Sequence, residues 1–404
     1  MVRWAVMGAV IALVSLLLAL AVGCGGGLGP LGLGGDEGMN TMAVVGNMVA
    51  FGMSELGMHC MNQDFSKLMI LPPFNTLRAQ VVDRTGQEPE IVRSNVTVNF
   101  SVLGNTRSAD KTNFWDFEEA LLGFPLAANT GLTGTRLSGP MHATGDGRFE
   151  ATGIPLTPVM DKGTVNPYPL GSIVVKKAGT IQAITKTVVP VSWEISCNLC
   201  HTGAQGTDMD ILQAHDRLHH TDLQNATPVA CGRCHEQPPL AGVLGSGSPA
   251  LPTLSRAMHR SHGPRMKLVS LPVNCYACHP GVTTKCLRDV HRQAGMTCLS
   301  CHGSMAAVAS AARQPWVDEP ACGSCHQRSG FEFEEPGKLF RESRGHNGIY
   351  CEACHNSPHA TVPTVTKADN IQNIGLQGKA GTIDKCSLCH SQTPDEPFNH
   401  TLRD

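Results

Sequence analysis

The chain has 404 residues, of which 41% are hydrophobic and 16% charged, and its formal net charge is −2 with histidine counted as neutral. This length fits two or three domains, and the near-neutral balance excludes the basic field of a nucleic-acid-binding protein. The 17 cysteines and 18 histidines stand out, because aromatic residues make up only 5% of the chain. Most of the cysteines lie after residue 196, where large side chains supply little of any interior.

The first 24 residues are predicted to direct export. Arg3 precedes an apolar run over residues 4–22, which is typical of a secretory signal. The sequence AVGC at 21–24 is similar to a bacterial lipoprotein box, in which the signal is removed and Cys24 takes a lipid, although Ala21 stands where leucine is usual. A retained membrane anchor and plain secretion are the alternatives, since about 18 apolar residues can just span a bilayer.

Residues 25–39 are rich in glycine and are predicted to form a flexible tether. Residues 40–195 then contain short β-branched runs separated by turn-type clusters. This pattern predicts an N-terminal, mostly-β, sandwich-like domain or a small antiparallel barrel. One helix is expected at 114–123. The strand-like runs lie at 76–83, 90–104, 171–177 and 180–193.

From residue 196 to 404 the motif C-x-x-C-H occurs seven times. Two thiols three positions apart can join the two vinyl groups of one haem, and the adjacent histidine then binds the iron. A zinc site needs two such pairs or separated histidines, and a disulfide framework leaves the histidines unexplained. The pattern therefore predicts seven covalent haems c. The motifs are Cys197/Cys200/His201, Cys231/Cys234/His235, Cys275/Cys278/His279, Cys298/Cys301/His302, Cys322/Cys325/His326, Cys351/Cys354/His355 and Cys386/Cys389/His390.

At these motifs the sequence resembles the multihaem c-type cytochromes, over roughly residues 190–404. The stretches MHRSHG at 258–263 and CHPGVTTKCLRDVH at 278–291 are similar to surface and periplasmic electron-transfer cytochromes of metal-reducing bacteria. So is GMHCMNQDFSKLMILPPFNTLRAQ at 57–80. The resemblance implies an outer-membrane lipoprotein that faces the periplasm or the cell surface. Its partners would be other cytochromes or an extracellular electron acceptor.

Seven haems in the C-terminal domain leave about 30 residues for each, too few for a conventional core. The porphyrins are therefore expected to supply much of the interior and to lie close together. We predict a haem-packed domain of short helices and loops with little regular structure.

Nine histidines outside the motifs lie in this region, enough to give each iron a second histidine. Such ligation favours electron transfer over the binding of a small substrate, whereas methionine as sixth ligand would raise the potential. His59 and His142 lie in the β-rich region, where a surface or structural role is expected. In multihaem cytochromes a histidine shortly before a motif commonly ligates a neighbouring haem. The distal candidates are His215, His219, His220, His259, His262, His291, His346, His359 and His400.

Cys60 and Cys286 are left over after the haems and the lipid are assigned. In an oxidising compartment two spare thiols favour a disulfide, which would clamp the β-rich domain onto the haem domain. Separate buried thiols are the alternative.

The residues predict an electron carrier or conduit that needs no catalytic residue. A multihaem reductase of nitrite or a sulfur oxyanion is the alternative, and it requires one haem with an open iron position. No C-x-x-C-K variant, which would indicate such a haem, is present in the sequence. A third hypothesis is a homo-oligomeric, haem-lined filament, in which His59 would be donated between subunits.

Overall fold

Residues 43–195 are mostly β, as the sequence predicts, and the computed structural model describes residues 43–245, 247–329, 331, 333–395 and 400. The predicted signal, the lipid site at Cys24 and the tether lie outside these residues. In the described part of the chain, no helix is long and apolar enough to cross a membrane. The strands are β1 (Ala43–Val44), β2 (Met48–Ser54), β3 (His59–Cys60), β4 (Leu68–Met69), β5 (Phe74–Asp83), β6 (Glu90–Ile91), β7 (Thr97–Val102), β8 (Ser138–Ala143), β9 (Arg148–Pro155), β10 (Leu170–Lys177), β11 (Thr180–Val188), β12 (Val191–Ser192) and β13 (Val229–Ala230).

Nine of these strands form one antiparallel sheet that nearly closes on itself. Its order is β1-β11-β10-β7-β8-β9-β5-β2, and β6 pairs with β5. The edge strand β2 lies against β11 near the other end, because a Cβ on Gly52 would stand only 2.7 Å from the Thr187 methyl group. Of the two forms that the sequence leaves open, the sheet is closer to the barrel. Two short parallel pairs, β3 with β12 and β4 with β13, lie outside this sheet.

The predicted helix at 114–123 is present as α1 (Phe114–Leu122) and ends at Gly123, whose φ of 89° is left-handed. Phe114 lies fully buried in the interior of the sheet. Its ring centre is 5.0 Å from that of Phe65 and 5.5 Å from that of Phe74, both in edge-to-face contact. The helix therefore packs its apolar side into the core that the strands enclose.

Strand β2 is buried on both faces. Met48 and Ala50 point into the interior of the sheet, whereas Val49, Phe51 and Met53 belong to a second apolar cluster with residues 349–389 of the C-terminal region. The described residues form one compact unit from residue 43 onward. The division of the chain at residue 195 stays a prediction.

Apart from β13, the described regular structure after residue 196 consists of short helices and single helical turns, as predicted, and the longest described helix there has 13 residues. The α-helices are α2 (Thr207–His219), α3 (Ala241–Leu244), α4 (Leu254–His262), α5 (Val290–Gln293), α6 (Cys298–His302), α7 (Met305–Val308), α8 (Cys351–His355) and α9 (Lys367–Gln377). The 3-10 turns are Cys197–Leu199, Leu223–Asn225, Cys231–Arg233, Pro238–Leu240, Gly263–Leu268, Asn274–Ala277, Cys322–Ser324, Phe340–Glu342, His346–Gly348, Pro358–Ala360 and Cys386–Leu388.

Candidate cofactor-binding site

Each C-x-x-C-H motif folds into a single helical turn. The backbone N–H of His201 donates to the carbonyl of Cys197 at 2.9 Å, and the motifs that begin at Cys231, Cys275, Cys322 and Cys386 repeat this bond. The other two motifs are the helices α6 and α8. Residues three apart on a helical turn share one face, so the turn presents both thiols to one side.

The second cysteine is exposed in four of the seven motifs. The first cysteine of every motif is half-buried, and so is the second cysteine of the other three. In these four motifs the protein side chains cover the first thiol more than the second. The exposed residues are Cys200, Cys234, Cys301 and Cys325.

Every motif histidine faces a second histidine from elsewhere in the chain. An imidazole nitrogen lies about 2 Å from a metal ion that it binds, so two rings on opposite sides of one ion have centres about 6 Å apart. All seven pairs have this separation, and the residues present therefore fit seven bis-histidine iron sites. The pairs and ring-centre distances are His201–His262 (6.4 Å), His235–His215 (6.3 Å), His279–His259 (6.1 Å), His302–His359 (6.4 Å), His326–His291 (6.0 Å), His355–His400 (6.0 Å) and His390–His346 (6.0 Å).

Seven of the nine distal candidates are thus placed opposite a motif histidine. The ring of His219 instead contacts that of His215, with 4.7 Å between centres. His220 ends helix α2 in a left-handed conformation, with φ of 54°. The structure therefore brings one residue of the 215, 219 and 220 group to a motif, which is His215.

Hydrogen bonds at Nδ1 orient several of these rings and leave Nε2 to face the partner. The acceptors are carbonyl oxygens for three of them: Ser255 for His259 at 2.7 Å, Met258 for His262 at 2.8 Å and Pro252 for His235 at 2.9 Å. His59 differs, because its Nε2 itself lies 3.2 Å from the Pro72 carbonyl oxygen. His142 is exposed on β8.

Burial keeps several of these imidazoles neutral, which is the form that binds a metal. Burial and then the charges of neighbouring histidines lower the pKa of His279, His355 and His359 to about 4 in each case. His359 also lies near the guanidinium of Arg288, which lowers its pKa further.

The spatial order of the first four motifs differs from their order in the sequence. The N–H of Ser196, just before the Cys197 motif, donates to the carbonyl of Ala277 in the third motif at 3.1 Å. A hydrogen bond between the thiols of Cys275 and Cys298 lowers the pKa of Cys275 and raises that of Cys298. The first motif is therefore next to the third, and the third is next to the fourth.

Helix α4 connects the second site to the first and third. It carries His259 and His262, which face the histidines of the third and first motifs. The backbone N–H of Leu254, its first residue, donates to the carbonyl of Glu236 at 2.9 Å, directly after the second motif. One short helix thus contacts three sites.

The later sites follow one another in sequence order. The ring of Phe333 lies between the fifth and sixth sites, 6.0 Å from His326 and 5.6 Å from His400 between ring centres. Burial raises the pKa of three thiols, and the charge of a cysteine in the next motif contributes: Cys325 for Cys301, Cys351 for Cys322, and Cys389 for Cys354.

Comparison with known proteins gives one match. Residues 315–391 match the family model for cytochrome c7 and related cytochrome c. This cytochrome c7-like segment contains the last three motifs, and the match supports a multihaem electron-transfer cytochrome with covalently bound c-type haem. Neither a curated protein nor a solved structure matches the chain.

A cavity of about 530 Å³ lies beside His326 in the cytochrome c7-like segment. Phe331 and Phe333 line it on the apolar side, and Glu334 and Arg328 supply polar groups. The cavity thus combines two aromatic rings with polar and charged groups beside a motif histidine. The two rings are apolar surface against which a porphyrin at this motif would pack.

The loop 279–288 fastens the third site to the β-rich region, a connection that no motif in the sequence indicates. The carboxylate of Glu194 accepts the N–H groups of Val282, Thr283 and Thr284 at 2.8, 3.0 and 2.6 Å. The hydroxyl groups of Ser192 and Thr284 also lie 2.8 Å apart.

Cys60 and Cys286 lie beside this connection. Cys60 pairs with Ser192 in the parallel β3–β12 bridge, and Cys286 is two residues beyond Thr284. Burial and then the charge of Cys286 raise the pKa of the Cys60 thiol to about 12. Both thiols are free in the structure, so the disulfide between them stays a prediction.

That prediction can be tested by alkylating the haem-loaded protein with and without reductant and measuring its mass. We expect no alkylated cysteine before reduction and two after it, because an exported protein would form the bond in an oxidising compartment. The Cys286→Ser variant is the control, and its Cys60 should be alkylated without reductant under denaturing conditions. Two alkylated cysteines in the unreduced parent protein would contradict the disulfide.

Proposed function

We propose that this protein carries electrons through seven covalently bound haems c, each ligated by two histidines. The observation that carries the proposal is the set of seven histidine pairs with ring centres 6.0–6.4 Å apart, one pair for every C-x-x-C-H motif. A bound haem supplies a one-electron couple at its iron. The chain's own residues set the ligation, spacing and burial that tune each couple.

Haem packing of the C-terminal region is supported by two features of its apolar side chains: few of them form clusters, and many are exposed. No described residue of 245–348 belongs to either of the two apolar clusters. Of the fifteen large apolar side chains that are exposed among the described residues, eleven lie after residue 194. Porphyrins would cover these side chains and provide the missing interior.

The contacts between motifs support a single relay. Its order would be the second motif, the first, the third and then the fourth to the seventh, with the Cys231 and Cys386 motifs at its two ends. Entry and exit of electrons would then occur at these ends, toward partner cytochromes or an extracellular acceptor. The lipoprotein-like sequence at Cys24 supports attachment to the outer membrane, facing the periplasm or the cell surface.

The histidine pairs favour this function over a reductase. A substrate-reducing haem needs an open iron position, and each motif histidine of this chain faces a second imidazole. The filament hypothesis has no support at His59, since the Nε2 that would bind a neighbour's iron contacts Pro72 instead.

The proposal predicts that His262→Ala converts one of seven haems to a high-spin form that binds carbon monoxide. The reason is that this change removes the second ligand of the iron at His201. The matched control is His219→Ala, which removes a histidine of the same region that faces no motif. Absorption and electron paramagnetic resonance spectra of the haem-loaded proteins make the measurement.

For the parent protein and the control we expect seven haems by mass, wholly low-spin spectra and no effect of carbon monoxide or nitrite. A parent protein that binds either ligand would contradict the carrier function. A His262→Ala protein whose haems all remain low-spin would contradict the assigned pairing.

A further inference from the structure

One of the axial histidine candidates donates its Nδ1 proton to a closely placed, buried carboxylate. His291 Nδ1 lies 2.9 Å from Asp289 Oδ2, and the Asp289 side chain is only 1% exposed. The other oxygen of Asp289 accepts the N–H of Arg292 at 3.1 Å, which caps the start of α5. Both oxygens are thus held, and the carboxylate is fixed against the ring.

Several other axial histidine candidates have neutral, weaker hydrogen-bond acceptors at Nδ1. His235, His259 and His262 donate to backbone carbonyls. His215 donates to the Thr221 hydroxyl at 2.8 Å. A carboxylate also lies near His201, where Asp210 is 3.5 Å away and both side chains are 22% exposed, so this contact is longer and reached by water.

The charge of Asp289 also acts on His359, but its hydrogen bond goes to His291. The adjacent Arg288 guanidinium is bound instead to Asp369, with Nε–Oδ2 and Nη2–Oδ1 distances of 2.6 and 3.0 Å. On the motif side, the carboxylate of Glu334 accepts the N–H groups of Cys322 and Gly323 at 2.5 and 3.2 Å. Arg328, which lines the cavity beside His326, is exposed, so solvent screens its charge.

We propose that Asp289 is a positioning residue that lowers the reduction potential of the iron ligated by His326 and His291. A carboxylate acceptor at Nδ1 fixes the ring and makes its Nε2 a stronger donor, which stabilises ferric over ferrous iron. Reduction adds one electron from the donor to the iron and breaks no bond, and the Nδ1 proton stays between His291 and Asp289 in both states. The inference rests on the proposed function, since it requires this histidine pair to bind iron.

The test is a spectroelectrochemical titration of the haem-loaded Asp289→Asn variant. Its neutral amide keeps the size of the side chain but removes the charge. We expect one of seven one-electron components to move to higher potential, so that its reduced-to-oxidised ratio at a fixed potential rises about tenfold. Asp289→Ser, which keeps an acceptor for the N–H of Arg292, should shift the same component in the same direction. Asp110→Asn is the matched control, because it neutralises an exposed carboxylate of the β-rich region that pairs with Arg107, and it should leave all seven unchanged.

Two outcomes separate a failure of the inference from a failure of the proposed function. If Asp289→Asn retains seven low-spin haems and its titration equals that of the parent, the role of Asp289 is wrong while the haem assignment stands. If His291→Ala leaves every haem low-spin, His291 is not an iron ligand, and the pairing fails together with the inference.

Discussion

Replacing Arg288 with methionine is expected to lower the free energy of unfolding by about 3–5 kcal/mol, because it leaves the carboxylate of Asp369 buried without its cation. Both side chains are 0% exposed. The guanidinium also donates through Nη1 to the carbonyls of Gly57 and Cys286, each at 2.9 Å. One side chain therefore joins the β-rich region, the loop after the third motif and helix α9.

Chemical denaturation of the haem-loaded variant, followed by circular dichroism, measures this loss. The double variant Arg288→Met with Asp369→Leu should recover most of it, since an apolar pair of similar volume is often as stable as a buried ion pair. Arg292→Met is the control, because Arg292 is exposed and its replacement should change stability by less than about 0.5 kcal/mol. A single variant as stable as this control would contradict the role of Arg288.

The cysteine motifs could be read from the sequence because covalent attachment fixes their spacing, whereas the histidine pairs could not. His262 faces His201 and His359 faces His302, and each pair joins residues that lie far apart in the chain. His291 precedes the fourth motif but faces the histidine of the fifth. Such pairings depend on how the whole region folds around its haems, and the numbers of histidines and haems do not determine them.

Strands β2, β8 and β9 were not predicted from the sequence, for two different reasons. Strand β2 lies between two apolar clusters, so its sequence MVAFGMS lacks the alternation of a half-exposed strand. Strands β8 and β9 contain glycine and proline, which weaken the β pattern. The runs near 76–83, 171–177 and 180–193 keep enough β-branched residues to be recognised.

Helix α9 was not predicted because its buried side is polar. Asp369, Asn370, Gln372 and Asn373 are buried, whereas Ile374 is 47% exposed. Hydrophobic periodicity locates helices that bury apolar residues, and this one buries hydrogen-bonding groups instead. Its amides and carboxylate bind backbone and side-chain groups that the sheet and the loops leave without partners.

Gln372 makes the most consequential of these contacts, because it fills the gap at which the sheet stays open. Its Oε1 accepts the N–H of Gly52 at 2.7 Å and the hydroxyl of Thr185 at 3.1 Å, and its Nε2 donates to the Gly52 carbonyl at 3.0 Å. Gly52 lies on β2 and Thr185 on β11, so one side-chain amide bridges the two strands. It occupies the edge of β2 as a neighbouring strand would.

Gln372→Ala is therefore expected to lower the free energy of unfolding by about 2–4 kcal/mol, since it leaves a buried N–H and a buried carbonyl of Gly52 without partners. Hydrogen exchange of the Gly52 amide should accelerate in the variant, because its acceptor is lost. Lys367→Ala changes an exposed position of the same helix and should alter neither quantity.

The Gln372→Glu variant distinguishes the contribution of the Gln372 hydrogen bonds to stability from the contribution of its packing. The carboxylate keeps the volume but cannot donate to the Gly52 carbonyl, and it places a charge where the side chain is 1% exposed. Its destabilisation should exceed that of alanine at neutral pH and diminish as the pH falls, because protonation removes the charge and restores a donor. If alanine and glutamate variants both retain the stability and Gly52 protection of the parent, the sheet holds its edge without α9, and the C-terminal region only covers it.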